Sequence, residues 1–158
     1  MFMIRSAQLE DLPEIQSLIK ELAEYERAPK EAVATLDDLQ ESFFGESPKV
    51  FCEIVEVEGQ IAGFAIWFLN YSTWQGKHGI YLEDLYIRPK FRGQGWGKKL
   101  LQDLASKCVE NGWGRFQWWV LDWNEPAIEF YRSLGAVAMD EWTVYRVGDS
   151  ALLNLAND

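Results

Sequence analysis

The sequence predicts a mixed sheet with helices packed on it, an α+β or α/β sandwich. Three observations point there. Apolar residues switch between helical spacing and short β-branched or aromatic runs, in the order β-α-α-β-β-β-α-β-α-β-β. A hydrophobic fraction of 48% and an aromatic fraction of 15% supply a core and argue against disorder. No linker, repeat or low-complexity run divides the 158 residues, so one domain covering residues 1–158 is expected.

Phe2 to Arg5 reads as a first strand. From Asp11 to Tyr25, residues Leu12, Ile15, Leu18, Ile19 and Leu22 fall on one helical face, with Asp11 as N-cap and Pro13 in the first turn. Thr35-Leu36-Asp37-Asp38 has the spacing of a capping box, with Asp in place of Glu or Gln, and opens a short helix through Leu39 and Phe43. Val50 to Val57 and Gln60 to Leu69, joined at Glu58-Gly59, read as a hairpin. Tyr71 to Gly79 reads as a polar, aromatic loop, and Ile80 to Ile87 as a strand that Pro89 ends.

After Gly97, the stripe Leu100, Leu101, Leu104, Ala105 and Cys108 predicts a helix stopping near Asn111-Gly112. Arg115 to Leu121 reads as a strand. A short helix is expected from Asn124, with Pro126 in its first turn and Gly135 at its end. Two more strands are expected at about Ala136 to Met139 and Trp142 to Val147, then a weak amphipathic tail from Ala151 to Leu155.

Composition narrows the partners. The formal net charge is -10, from 25 acidic and 15 basic residues. That disfavours nucleic acid, whose phosphates need a basic face. It suits solubility and also a cationic substrate, because a negative potential raises the local concentration of cations. No N-terminal run resembles a signal peptide, and no apolar window approaches the roughly 20 residues needed to span a membrane. Cys52 and Cys108 lie far apart in unlike settings, so a disulfide framework is not expected and a reduced, cytoplasmic protein fits.

The chemistry concentrates between Tyr81 and Leu101, YLEDLYIRPKFRGQGWGKKLL. A strand carrying Glu83 and Asp84 leads through Arg92-Gly93-Gln94-Gly95-Trp96-Gly97 into a helix. Glycines at such a join let backbone N–H groups approach an anion, and the helix N-terminus adds partial positive charge. A P-loop is excluded because Gly97-Lys98 is followed by Lys99 rather than a hydroxyl residue. A dinucleotide fingerprint is excluded by the spacing of Gly93, Gly95 and Gly97. R-x-x-G-x-G remains. A lone His78 with scattered cysteines offers no metal set, and Cys108, on an apolar stripe, has no evident partner for nucleophilic catalysis.

This stretch resembles the acetyl-CoA-binding motif of the GNAT N-acetyltransferases. The likeness extends to Ile19-Lys20-Glu21-Leu22-Ala23-Glu24-Tyr25-Glu26, to Tyr81-Leu82-Glu83-Asp84, and to Trp123-Asn124-Glu125-Pro126-Ala127-Ile128-Glu129-Phe130-Tyr131. These stand in the order found in the diamine branch, the spermidine/spermine and thialysine N-acetyltransferases. The resemblance implies the GNAT fold, a mixed and mainly antiparallel sheet flanked by helices, with acetyl-CoA as acetyl donor and coenzyme A as product, a small di- or polyamine or thialysine-like acceptor, and a homodimer.

Acyl transfer from a thioester to an amine needs a neutral amine, a stabilised oxyanion and a protonated leaving thiolate. A primary amine has a pKa of about 10.4, so a base or orienting carboxylate is required near pH 7. The resemblance assigns that role to Glu83, acting directly or through water; the bland alternative is a solvated carboxylate. Strand alternation places Asp84 on the opposite face, which leaves it a weaker substrate-side candidate. Tyr131 matches the family's general acid for the thiolate; without the resemblance it would be read as core.

Backbone amides from Gly93, Gln94, Gly95, Trp96, Gly97 and Lys98, opened by Arg92, are expected to hold the pyrophosphate. Leu85, Tyr86 and Ile87 are where the family pairs backbone with the pantetheine arm, one N–H serving as oxyanion donor. Asn124 matches a cofactor-contacting position and is equally a helix N-cap. Tyr25 and Glu26 match a polyamine-binding pair, Glu26 otherwise being a solvated helix-end carboxylate. Trp142 is a candidate wall of the amine site. Trp74 is a weaker one, since its loop departs from the family pattern in length. The implied alternatives are a GNAT acting on another amine, such as an amino acid or a protein N-terminus, and a non-catalytic acyl-CoA sensor.

Overall fold

The computed structural model describes residues 1–158. Contacts divide them into two compact units, Met1–Leu121 and Asp122–Asp158.

The first unit is a five-stranded sheet in the order β1-β2-β3-β4-β5 with three helices. The strands are β1 (Phe2–Ser6), β2 (Phe51–Val57), β3 (Gln60–Ser72), β4 (Lys77–Ile87) and β5 (Phe116–Trp118). The first four pair antiparallel and β5 joins β4 in parallel, so the sheet is mixed and mainly antiparallel as expected. The parallel pair needs a crossover, supplied by α3 (Trp96–Asn111). The region from Tyr71 to Gly79 is largely strand rather than loop: β3 and β4 continue to pair as far as Ser72 and Lys77, leaving a connection of residues 73–76.

Helix α1 (Leu12–Tyr25) buries the predicted stripe. Ile15, Leu18 and Leu22 pack against Cys52, Ile54, Phe64, Ile66 and Tyr86 of the sheet. Asp11 does not cap α1 with its side chain; its carboxylate takes two hydrogen bonds from Arg5 (2.7 and 3.0 Å) and one from the Gln8 N–H (2.7 Å). The capping box of α2 (Leu36–Phe44) is complete, with Asp38 N–H to Thr35 Oγ1 at 3.1 Å and Thr35 N–H to Asp38 Oδ2 at 2.9 Å. On β2, Glu53 lies between Cys52 and Ile54, both turned to α1, so alternation turns it to the other face. There it feels Lys107 and Asp103 of α3, which places α3 on the side of the sheet away from α1.

The second unit holds α4 (Glu125–Ser133) and α5 (Asp149–Ala156). Gly135, at φ 90°, turns the chain out of α4. The two strands expected at Ala136 to Met139 and Trp142 to Val147 do not form, and the expected strand at Arg115 to Leu121 shortens to β5. A strand is made by its partner's hydrogen bonds rather than by its own composition. No neighbouring strand in this chain takes up these segments. Their apolar residues stay exposed, Val137 at 80% and Tyr145 at 91%.

Candidate active site

Three features of the first unit build the site. The first is a bulge in β4. Ile66 of β3 faces Asp84, but the next residue, Trp67, faces Leu82, so Glu83 is an extra residue in the ladder. A bulge interrupts the two-residue alternation and re-aims side chains. The expectation that alternation keeps Glu83 and Asp84 apart is therefore wrong for this strand. Both lie within electrostatic reach of Glu26, which sits just past the end of α1.

That end is held in place. Arg88, just beyond β4, pairs with Glu14 (2.7 Å) and Glu21 (3.1 Å) of α1 and donates to the Ile61 carbonyl at 3.1 Å. Helix α1 closes with Arg27 N–H to Glu24 O (3.0 Å) and Ala28 N–H to Ala23 O (2.9 Å), the paired bonds of a Schellman motif. Arg27 takes the left-handed conformation there, at φ 64°, where glycine is usual. The last turn contains no basic residue, so the partial negative charge of the helix end adds to Glu26.

Electrostatics follow from the geometry. Burial, then Glu83, then Glu26 push the Asp84 carboxyl up to about 7. Burial and then Glu83 raise Glu26 as well. Glu83 itself is exposed. The cluster therefore costs free energy when fully ionised and favours an incoming cation. A stability signature follows. The folded pKa of Asp84 lies above its ordinary value of 3.8, so its contribution is full below about pH 4 and is lost as pH rises through about 7. Urea titrations between these limits should show wild type losing roughly 1.4 kcal/mol per pH unit relative to Asp84→Asn. Parallel pH profiles for the two proteins would refute the assignment.

The second feature is the open edge of β4. Strand β5 pairs with β4 only from Ile80 to Leu82, so on that side Glu83 to Ile87 have no strand partner. Leu85, Tyr86 and Ile87 therefore present backbone to which an extended chain can add.

The third is the glycine loop. Gly93 (φ 78°) and Gly95 (φ 85°) take left-handed conformations that turn Arg92 to Trp96 into the start of α3. No side chain caps α3 and no acidic residue lies in its first turn. At Gly97 the backbone is ordinary, and a Cβ would meet only Ile87 Cγ1 at 3.8 Å. Nothing in the fold demands glycine there; its bare surface leaves room against the free N–H groups of Trp96, Gly97 and Lys98. This fits a pyrophosphate. Arg92 does more than open the turn, a role the sequence did not disclose. Its Nε donates to the Ile87 carbonyl at 2.7 Å, and its guanidinium lies 5.5 Å from the Tyr25 ring and 5.3 Å from Tyr86. It ties the glycine loop to the open edge of β4 and to the end of α1.

Of the remaining expected residues, Asn124, Tyr131 and Trp142 belong to the second unit. Asn124 is buried at the start of α4 and makes no side-chain cap, although its carbonyl accepts the Ile128 N–H at 3.0 Å. Tyr131 is half-buried on α4, 5.5 Å from the Phe130 ring. Trp142 is 70% exposed in the segment expected to be a strand. Trp74, in the first unit, is 92% exposed at the tip between β3 and β4.

Residues 12–136 match the model of the acetyltransferase (GNAT) family. The thialysine N-epsilon-acetyltransferase of Bos taurus is 36% identical over 165 aligned positions, covering 98% of this chain and 96% of that protein. The spermidine/spermine N(1)-acetyltransferase-like protein 1 of Homo sapiens is 34% identical over 98% of this chain, which spans 24% of that longer protein. Among solved structures, an integron cassette protein from the mobile metagenome of V. cholerae matches with a TM-score of 0.83 at 24% identity, covering 99% of this chain and 98% of that one. At that identity the likeness concerns the fold.

Proposed function

From a chain that belongs to the acetyltransferase (GNAT) family and is an N-acetyltransferase, we propose direct transfer of acetyl from acetyl-CoA to a primary amine of a small di- or polyamine or a thialysine-like substrate. The observation that carries the substrate class is the cluster of Glu26, Glu83 and Asp84, whose mutual repulsion a cationic amine relieves. Bound in the glycine cradle, acetyl-CoA supplies an activated acetyl thioester. The chain's residues do the rest. Exposed Glu83 takes a proton from the substrate ammonium, directly or through water, and leaves the neutral amine to attack the acetyl carbonyl. Asp84 and Glu26 hold a second, distal ammonium, with Tyr25 beside them. Backbone N–H groups among Leu85, Tyr86 and Ile87 hydrogen-bond the acetyl oxygen and the pantetheine amides. Amides from Gly93 to Lys98, with Arg92, bind the pyrophosphate, and Asn124 contributes to the same ligand. Tyr131 protonates the departing thiolate, and Trp142 contributes to the amine side.

The two units are proposed to work as one catalytic domain, since the family match runs from residue 12 to residue 136 and so includes parts of both. A cytoplasmic homodimer is proposed as well. The exposed apolar residues between Val137 and Val147 offer a surface that a second copy would cover. No helix is long and apolar enough to cross a membrane.

The test is a panel of amines with acetyl-CoA, read by release of free thiol. Turnover confined to short diamines and lysine-like amines supports the proposal. Turnover only with amino acids or peptide N-termini assigns another amine, and tight coenzyme A binding without turnover assigns a sensor.

A further inference from the structure

A cavity of about 380 Å3 opens beside the C-terminal end of α3, and no residue of the candidate active site lines it. Lys107, on its wall, lies about 16 Å along the helix from Trp96 and the glycine loop. Aromatic side chains dominate the lining. Phe51 and Trp67 have ring centroids 4.8 Å apart, Trp67 and Trp113 6.2 Å apart, and Phe43 adds a further face.

One acid is sunk among them. Glu53 is only 5% exposed and still lines the cavity. Its carboxylate accepts from Ser6 Oγ at 3.3 Å and from Trp67 Nε1 at 3.4 Å, both at the long end for hydrogen bonds. A carboxylate offers about four acceptor positions, so two long bonds leave it under-satisfied. Lys107, whose charge acts on Glu53, is engaged by Asp103 at 3.6 Å. Burial pushes the Glu53 carboxyl up despite Lys107. Burying such a group is unfavourable unless something compensates its charge, and packing alone would be served by an apolar residue.

We propose that this cavity is a second ligand site, which binds a small organic ammonium with a compact apolar body against the aromatic wall of Phe51, Trp67 and Trp113, its charge on Glu53. Aromatic faces around a carboxylate are the chemistry that recognises organic cations. Glu110 adds negative charge at the cavity, and the chain's net charge of -10 likewise favours a cationic ligand.

The test is calorimetric titration of the full chain with phenethylammonium and, as neutral counterpart, phenethyl alcohol. A Glu26→Gln/Glu83→Gln/Asp84→Asn background removes all three carboxylates that would hold an ammonium at the candidate active site. Phenethylammonium should bind this background at one site, with phenethyl alcohol about tenfold weaker or worse. Glu53→Gln should weaken the ammonium about tenfold, and Lys107→Ala should tighten it about threefold by removing a competing cation. The Lys107→Ala arm decides the matter should Glu53→Gln fail to fold, because a damaged cavity would not bind more tightly. No binding at about 10 mM probe, equal binding of the alcohol, or weaker binding in Lys107→Ala would each overturn the proposal.

Discussion

Tyr131→Phe is expected to lower kcat by about 10²–10³-fold with little change in the KM for either substrate, the size of effect a lost general acid produces. The thiolate of coenzyme A leaves unassisted only slowly near neutral pH, and Phe keeps the ring while removing its proton. The half-buried setting on α4 supports this substitution as a clean one, since the ring's packing beside Phe130 is retained. A second readout separates proton donation from packing. With an acetyl thioester of a more acidic thiol, the variant's deficit should shrink toward tenfold or less, because a better leaving group needs less protonation. Full turnover by Tyr131→Phe with acetyl-CoA would remove Tyr131 from the mechanism.

Asp84→Asn is expected to raise the KM for a diamine by about 10- to 100-fold, the cost of removing a charged partner from a half-buried ammonium contact. For a monoamine of the same length the change should stay within about threefold, since only the distal ammonium meets Asp84 and Glu26. Glu26→Gln, more exposed, should show the same selectivity with a smaller loss. The pH dependence is specific. Wild-type Asp84 ionises as pH rises through about 7, so diamine affinity should improve across that range, and Asp84→Asn should flatten it. Equal losses for mono- and diamine would show that Asp84 serves the fold rather than the substrate.

Most of the fold was readable along the chain, and so was the glycine turn into α3. The stripe of α1 and the Thr35/Asp38 box are set by neighbours within about four residues, and those signals survive in the folded chain. The loop Arg92 to Gly97 belongs to this class, because positive φ at Gly93 and Gly95 is a local demand that glycine meets. That Glu83 and Asp84 lie on β4 was likewise legible in the strand that carries them.

What failed depended on partners far away in sequence. Val137 to Val147 has the composition of strands, but a strand needs a neighbour's ladder, and none in this chain provides it. The alternation rule set Glu83 and Asp84 on opposite faces and left Asp84 the weaker substrate-side candidate. The β4 bulge arises only in the pairing with β3, where Trp67 faces Leu82, and it brings Asp84 and Glu83 into one cluster with Glu26. Arg92 over Tyr25 and Tyr86, and Glu53 sunk beside Trp67, were invisible for the same reason. Local spacing sets backbone conformation and the order of elements. Which charges share a site, and how far burial shifts them, depends on distances between segments tens of residues apart, and only the folded sheet brings those segments together.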